Sequence, residues 1–379
     1  MKKLLVLLLA LALVFAFAAC GATEEAAEEA AEEATEEATE EATEETAEEP
    51  ADDTAQAAAN AEIVIKFGHV DGATSLLDTP IHSIVECLKT SVESHSNGKI
   101  TVEEYPNAQL GGSTSMFEQC AAGTLEMSVG FSMSGLSAYV PEAMLFDIPY
   151  VFSSELTATD MLNSEWGEQL QQKIIDATGV RCYFMANSMR SFITTKKPIH
   201  EAADFKGLKL RVQDSPAMVA LLDSLGASAT VVDYNETYSA LQTGVVDGAE
   251  QHPYGIPMAS WQEVCKYYTL DKYIPNIAIL AVSNSWYEGL SDEDQASVDY
   301  AIKRAMLAYR GVIEANEANV FKQIQDAGVE VYTPTEEALE ELKSITQPAV
   351  IEYVASQVGQ ETVDSFLKAA EEVEANRGY

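Results

Sequence analysis

The chain has 379 residues, and its 61 Asp and Glu outnumber 22 Lys and Arg to give a formal net charge of -39. So acidic a protein is poorly suited to nucleic acid, because phosphate contacts depend on Lys and Arg. Its five histidines and five cysteines show no metal-binding spacing. We therefore expect no nucleic-acid partner, no metal and no cofactor.

The first twenty residues predict an export signal. Lys2-Lys3 precede an apolar run over 4–17, and two alanines lead to Cys20, which glycine follows. This arrangement resembles the lipobox of bacterial lipoproteins, in which the cysteine is acylated and becomes the new N-terminus. In an ordinary signal peptide Cys20 would be incidental. The lipobox predicts an extracytoplasmic protein anchored to the membrane bilayer through Cys20.

Residues 21–60 form an acidic segment of Glu, Ala and Thr without a single Lys or Arg. Ala and Glu favour helix, but like charges one turn apart repel and the segment has no apolar face to bury. We expect a disordered, solvated tether.

Strands and helices alternate in the body that follows. Predicted strands span 62–69, 100–105, 125–130, 179–185, 208–212 and 278–283. Predicted helices cover about 77–94, 116–122, 215–225 and 235–243. The alternation is typical of an α/β fold with mostly parallel strands, and the length suits two lobes.

The C-terminal part is predicted to be helical. Ser291 followed by three acids marks a helix start, and Gly311 is the one interruption before Asp326. A continuous helix there would have about 35 residues and a length of roughly 50 Å, enough to lie across two lobes. Two further helices are predicted at about 336–357 and 361–374.

Four cysteines remain in the body: Cys87, Cys120, Cys182 and Cys265. An exported chain could pair them, and their connectivity cannot be deduced from sequence. We expect buried free thiols.

Arg211 stands near the end of a short apolar strand. A guanidinium is a planar, permanently charged fork that matches a carboxylate bidentately. Arg211 is therefore a candidate receptor for a small carboxylate, and the alternative is a structural ion pair with an Asp or Glu.

Catalytic motifs do not stand out. The chain has no HExxH pair, no GxSxG elbow and no Walker loop. We interpret its histidines as structural or surface residues, and the sequence predicts a binding protein rather than an enzyme.

Five segments carry a family resemblance by their order and spacing. They are Gly98–Gly111, Ala122–Met127, Phe146–Phe152, Arg190–Ile199 and Asp204–Arg211. Each is weak evidence alone, but together they resemble the DctP family, the substrate-binding proteins of tripartite ATP-independent periplasmic (TRAP) transporters.

The resemblance implies an α/β clamshell of two lobes, like other periplasmic binding proteins, with a long helix bridging the lobes. Lobe I would comprise 61–188 and about 277–316. Lobe II would comprise 189–276 and about 317–379.

It also implies the ligand contacts. The family's principal carboxylate-binding arginine falls on Arg211, and a second arginine falls on Arg190. An aromatic residue beside the ligand maps to Tyr234. Gln251 stands where many relatives carry asparagine. The remaining candidates, on the wall of the first lobe, are Phe131, His69 and Asp78.

The function implied is capture of a small organic acid, such as a sugar acid or a C4-dicarboxylate, for delivery to the small and large membrane subunits of a TRAP permease. The alternative is a ligand-sensing receptor subunit of the same fold without a transport role. Tyr234, Phe131 and Gln251 favour a hydroxylated sugar acid.

Overall fold

The computed structural model describes residues 61–73 and 79–377. The predicted signal, Cys20, the acidic segment and Asp78 lie outside them. The strands are β1 Ile63–Gly68, β2 Ile100–Tyr105, β3 Met127–Ser132, β4 Val180–Thr194, β5 Lys209–Val212, β6 Ser228–Val231, β7 Gly248–Gln251, β8 Tyr267–Ser283 and β9 Glu330–Tyr332.

The α-helices are α1 Pro80–His95, α2 Ser113–Ala121, α3 Met133–Leu136, α4 Glu155–Leu162, α5 Glu165–Thr178, α6 Pro216–Ser224, α7 Tyr234–Thr243, α8 Gly255–Met258, α9 Asn284–Glu288, α10 Asp292–Asp326, α11 Glu336–Val358 and α12 Gln360–Asn376. Short 3-10 helices cover Pro141–Asp147, Ala202–Phe205 and Trp261–Glu263. Within the described residues, no helix is both long enough and apolar enough to cross a membrane.

The strands form one nine-stranded sheet in the order β2-β1-β3-β8-β4-β7-β5-β6, with β9 beside β8. The pairs β1–β2, β1–β3, β5–β6 and β5–β7 are parallel, as the alternation of strands and helices predicts. At the centre, β4 pairs antiparallel with both β8 and β7, and β3 pairs antiparallel with β8. The sheet therefore has a parallel group at each end and two long strands between.

The two long strands exceed their predicted lengths. The sequence pattern marks only 179–185 and 278–283, whereas β4 has 15 residues and β8 has 17. Polar residues interrupt the apolar alternation in both, among them Asn187 in β4 and Asn276 in β8. The β4–β8 register also shifts, between Ala186 and Ser188 and again between Arg190 and Phe192. Such bulges re-aim side chains, here beside a cavity.

Two apolar clusters cover the two faces of the sheet. Neighbouring residues of β8 alternate between them, with Ile279 and Ala281 in one cluster and Leu280 and Val282 in the other. Successive side chains of a strand point to opposite faces, so the clusters lie on opposite sides. Helices α11 and α12 pack in the first cluster, and α1 and α10 pack in the second.

The long helix is confirmed as one uninterrupted element of 35 residues. Ser291 caps it, since its side chain accepts a hydrogen bond from the amide of Asp294. Gly311 does not break the helix, and a methyl group at that position would meet open space. The phenol of Tyr254, just before α8, donates to the carbonyl of Ile313 at 2.5 Å.

The expectation of free thiols agrees with the structure. Cys120, Cys182 and Cys265 are buried and Cys87 is half-buried, and all four are free. Burial raises the pKa of the Cys120 and Cys265 thiols to about 12, so both stay protonated near neutral pH.

Asp271 in β8 is a buried carboxyl group, and burial raises its pKa from 3.8 to about 8, although backbone N–H groups and the Ser191 hydroxyl act in the opposite direction. A raised folded-state pKa means that the native protein binds more protons than the unfolded chain between these values. Stability should therefore fall as pH rises through that window.

We expect Asp271→Asn to remove this dependence. Relative to wild type, the variant should gain up to about 1.4 kcal/mol of unfolding free energy per pH unit between pH 5 and pH 8. Denaturant unfolding at three pH values measures the effect, and Asp223→Asn, at an exposed position in α6, serves as control. A constant difference between Asp271→Asn and wild type across the range would contradict the prediction.

Candidate functional site

A cavity of about 670 Å³ lies where the two parallel strand groups meet the two long strands. Its walls come from the carboxyl ends of β3, β5 and β7, from the middle of β4 and β8, and from Tyr309 of α10. Ligands of α/β proteins commonly bind in a crevice at the carboxyl ends of parallel strands. The fold therefore places a candidate binding site here.

Five residues predicted from sequence line this cavity: Arg190, Arg211, Gln251, Tyr234 and Phe131. They come from separate strands and one helix, which the fold brings together. His69 does not line the cavity; its fully buried ring lies behind the wall, with Nε2 2.8 Å from Oε1 of Glu104. Its neighbours Val70 and Asp71 line the cavity instead.

Glu250 is a site residue that the sequence interpretation missed. It is 1% exposed and lies between the two arginines. Nε of Arg190 donates to Oε2 of Glu250, and Nη1 of Arg211 lies 3.4 Å from Oε1 of the same carboxylate. The one sequence feature that could have indicated it is its position directly before Gln251 in β7. In a chain with 61 Asp and Glu, a single acid does not stand out. Arg211 thus forms the structural ion pair that was the alternative to a ligand-binding role. Because two arginines share one carboxylate, however, the pair does not neutralise both guanidinium groups.

Further hydrogen bonds orient the guanidinium of Arg190. Its Nη1 donates to Oδ1 of Asn276 at 2.5 Å, and Nδ2 of Asn276 donates to Oδ1 of Asn187 at 2.8 Å. Nδ2 of Asn187 donates in turn to the phenol oxygen of Tyr309, at 2.5 Å. With its amide oxygen turned toward Arg190, Gln213 accepts from Nη2 at 3.0 Å. No sequence motif links these polar residues of β4 and β8.

The Arg211 side chain is oriented mainly by a backbone group at the end of the neighbouring strand β6. Its Nε donates to the backbone carbonyl of Val232 at 2.9 Å, and the side chain is 3% exposed. Burial lowers the pKa of Arg211. Burial also acts to lower the pKa of Arg190, but the charge and hydrogen bond of Glu250, together with nearby tyrosines, raise it overall. Both guanidinium groups stay charged at neutral pH, because arginine starts far above it.

The cavity has positive charge on its two arginines and negative charge on the other ionised side chains of its described lining. The guanidinium groups of Arg190 and Arg211 and the carboxylate of Glu250 that they share together carry one net positive charge. His252 adds none, because burial and then Arg190 lower its pKa to about 3. The other charged lining side chains among the described residues are acidic: Asp71, Asp214, Asp233 and Glu236.

Gln251 brings a side-chain NH2 group, with two N–H donors, to this site. It is 1% exposed, its Oε1 accepts from the amide of His252 at 3.0 Å, and its Nε2 has no partner among the described residues. A buried amide N–H without a partner is costly, so this group is suited to a ligand acceptor. Gly255 packs against it, and a methyl group there would come within 2.4 Å of Cδ of Gln251.

Comparison with known proteins now identifies the family. The family model DctP, described as bacterial extracellular solute-binding protein, family 7, matches residues 67–357. The sialic acid-binding periplasmic protein SiaP of Vibrio cholerae is 28% identical over 311 residues, which cover 82% of this chain and 94% of that protein. The C4-dicarboxylate-binding periplasmic protein DctP of Rhodobacter capsulatus is 28% identical, with coverage of 81% and 91%.

Solved structures agree. A TRAP periplasmic solute-binding protein from Roseobacter denitrificans, with bound L-galactonate, superposes with a TM-score of 0.73 at 27% identity and covers 81% of this chain and 99% of that chain. The two-lobed α/β fold implied by the resemblance is thereby confirmed. The five sequence segments, the fold and the family match agree, and the chain belongs to the DctP family of bacterial extracellular solute-binding proteins.

Proposed function

We propose that this protein is an extracytoplasmic receptor that captures a small hydroxylated acid with a single carboxylate and delivers it to the membrane subunits of a TRAP transporter. One observation carries the choice of ligand. Arg190 and Arg211 share the single carboxylate of Glu250, so the buried cluster retains one positive charge. One ligand carboxylate neutralises it.

The rest of the cavity favours hydroxyl groups over a second carboxylate. Asp71, Asp214, Asp233 and Glu236 are acceptors that sugar hydroxyls can donate to. A second ligand carboxylate would face these acids with no further Lys or Arg in the described lining. Tyr234 and Phe131 supply flat surfaces for the ring or carbon chain, and about 670 Å³ suits a small ligand.

Relatives support the receptor role and leave the ligand open. Among those compared above, the Vibrio protein is named for sialic acid and the Roseobacter structure contains L-galactonate, both sugar acids, whereas the Rhodobacter protein is named for C4-dicarboxylates. The distribution of charge in this cavity is what favours the sugar acids.

Two lobes would close on the ligand. We place lobe I at 61–188 with about 277–316, and lobe II at 189–276 with about 317–379. This division is supported by strand pairing, because β3 pairs with Ala278–Val282 of β8 whereas β7 pairs with Ser191–Thr194 of β4. Closure would dry the cavity and strengthen its charge-assisted hydrogen bonds.

The proposal includes the membrane anchor. Acylation of Cys20 would fasten the protein to the bilayer, and the acidic segment 21–60 would tether the receptor to it. We propose no catalytic step, since the cavity supplies recognition groups and the family is one of solute-binding receptors.

A thermal-shift panel tests the ligand class. Galacturonate, glucuronate and galactonate should raise the melting temperature, because a ligand that binds only the folded state stabilises it by mass action. Succinate and malate at the same concentration should raise it far less. A larger shift with the dicarboxylates would overturn the assignment.

Gly255→Ala should weaken binding of such a sugar acid about 10-fold, or about 1.4 kcal/mol. The new methyl group would displace the Gln251 amide and remove its N–H donors from the cavity. Calorimetric titration measures the change, and Gly311→Ala, where a methyl group meets open space, is the matched control. Equal affinity in the Gly255 variant and wild type would show that Gln251 does not contact the ligand.

A further inference from the structure

A second group of chemically active side chains lies outside the organic-acid cavity. His82 and Glu86 stand four residues apart on α1, so they share one face of that helix. Glu104 belongs to β2, and His69 directly follows β1, whose residue Phe67 pairs in register with Glu104. Three separate segments thus bring two imidazoles and two carboxylates together.

In the structure Glu104 is hydrogen-bonded to both histidines, and the groups lie close enough for small side-chain rotations to form a ligand set. Oε1 of Glu104 lies 2.8 Å from Nε2 of His69 and 2.9 Å from Nδ1 of His82. Potential ligand atoms of His82, Glu86 and Glu104 all lie within 4.8 Å of one another. A tetrahedral ion with bonds of about 2.0–2.2 Å spaces its ligand atoms about 3.3–3.6 Å apart, so small side-chain rotations would close this group on one ion.

The charge of these side chains and their exposure to solvent also suit a divalent cation. The two carboxylates carry two negative charges when the imidazoles are neutral, and this balances a divalent ion. The side chains of His82 and Glu104 are each 17% exposed, which leaves a path for entry. No ion pair or side-chain hydrogen bond engages Glu86 within the part of the chain that the structure describes, so its carboxylate is free to bind.

We propose that His82, Glu86 and Glu104, together with His69, form a binding site for one divalent transition-metal ion, with Zn²⁺ as the first candidate. Mixed imidazole and carboxylate ligands suit Zn²⁺ and its neighbours in the first transition row better than Ca²⁺ or Mg²⁺, which take oxygen ligands. This site is separate from the organic-acid site and does not depend on the function proposed there.

The ion would stiffen one wall of the cavity. The backbone amide of His69 donates to the carbonyl of Tyr105 at 3.1 Å, and the carbonyl of His69 accepts from the amide of Ala108 at 3.0 Å. Asp71, two residues on, lines the cavity. A metal bound to His69 and α1 would therefore fasten the helix to the loop that carries Asp71.

The test uses the purified full chain after treatment with a chelator and in the absence of any organic acid. Titration with Zn²⁺ should reveal one site that the double variant His82→Ala/Glu86→Gln weakens at least about 100-fold. Both replacements favour helix, so α1 should persist, and circular dichroism checks this. His200→Ala, which removes an exposed histidine elsewhere, should bind Zn²⁺ like wild type.

Co²⁺ supplies a readout that a purely structural role would not change. Wild type should give the intense visible absorption of tetrahedral Co²⁺, and the double variant should lose it. All variants keep the same acidic N-terminal segment and cysteines, so these contribute equally. Equal Zn²⁺ affinity in the double variant and wild type, or tighter binding of Ca²⁺ than of Zn²⁺, would overturn the proposal.

Discussion

Arg211→Lys is expected to weaken sugar-acid binding about 30- to 150-fold, a loss of about 2–3 kcal/mol, while the protein remains folded. Lysine keeps the positive charge but lacks the planar fork, so it cannot hold the carbonyl of Val232 and a ligand carboxylate with fixed geometry. Calorimetric titration measures the affinity, and denaturant unfolding measures stability.

Arg310→Lys is the matched control for this prediction. Arg310 lies on the long helix, its side chain is 41% exposed and it pairs with Glu314, so its replacement should leave affinity unchanged. If Arg211→Lys bound the sugar acid as tightly as wild type, Arg211 would be a structural ion-pair partner and no more.

Glu250→Gln should lower the free energy of unfolding by about 3–5 kcal/mol. The amide has nearly the same shape, but it removes the carboxylate shared by two buried guanidinium groups, and an uncompensated buried charge is costly. Denaturant unfolding tests this, with Glu314→Gln, at an exposed position, as the control expected to change little.

The same variant should alter ligand preference. Without Glu250 the buried cluster carries two positive charges, so each anionic ligand should stabilise the variant more than it stabilises wild type. Succinate should gain relative to galacturonate in a thermal-shift assay. Unchanged stability together with unchanged preference would contradict the charge distribution on which the ligand assignment rests.

Features governed by local sequence were predictable. The long helix follows from the Ser291 cap, the acidic first turn and the absence of proline. The low helix propensity of Gly311 destabilises the helix too little to end it. Arg211 was found because it stands near the end of a short apolar strand, and Arg190 because it opens a segment that resembles the DctP family. Their placement around one cavity agrees with that interpretation, while their contact with ligand stays a prediction.

Features that depend on distant parts of the chain were missed. The polar residues that face the cavity, Asn187 and Asn276, interrupt the alternation by which strands are recognised, so β4 and β8 seemed short. Glu250 was hidden by the abundance of acids. The His82–Glu86–Glu104 group has no sequence motif, since the fold alone brings α1 to the end of β2.

The central claim is that Arg190 and Arg211 anchor one carboxylate of a hydroxylated ligand. Its most direct test is calorimetric titration of the full chain with galacturonate and with galactose, which share a sugar ring and differ in the carboxylate. Two charge-assisted hydrogen bonds contribute about 3–6 kcal/mol, so galacturonate should bind at least about 100-fold more tightly. Equal affinity for the acid and the neutral sugar would contradict the account.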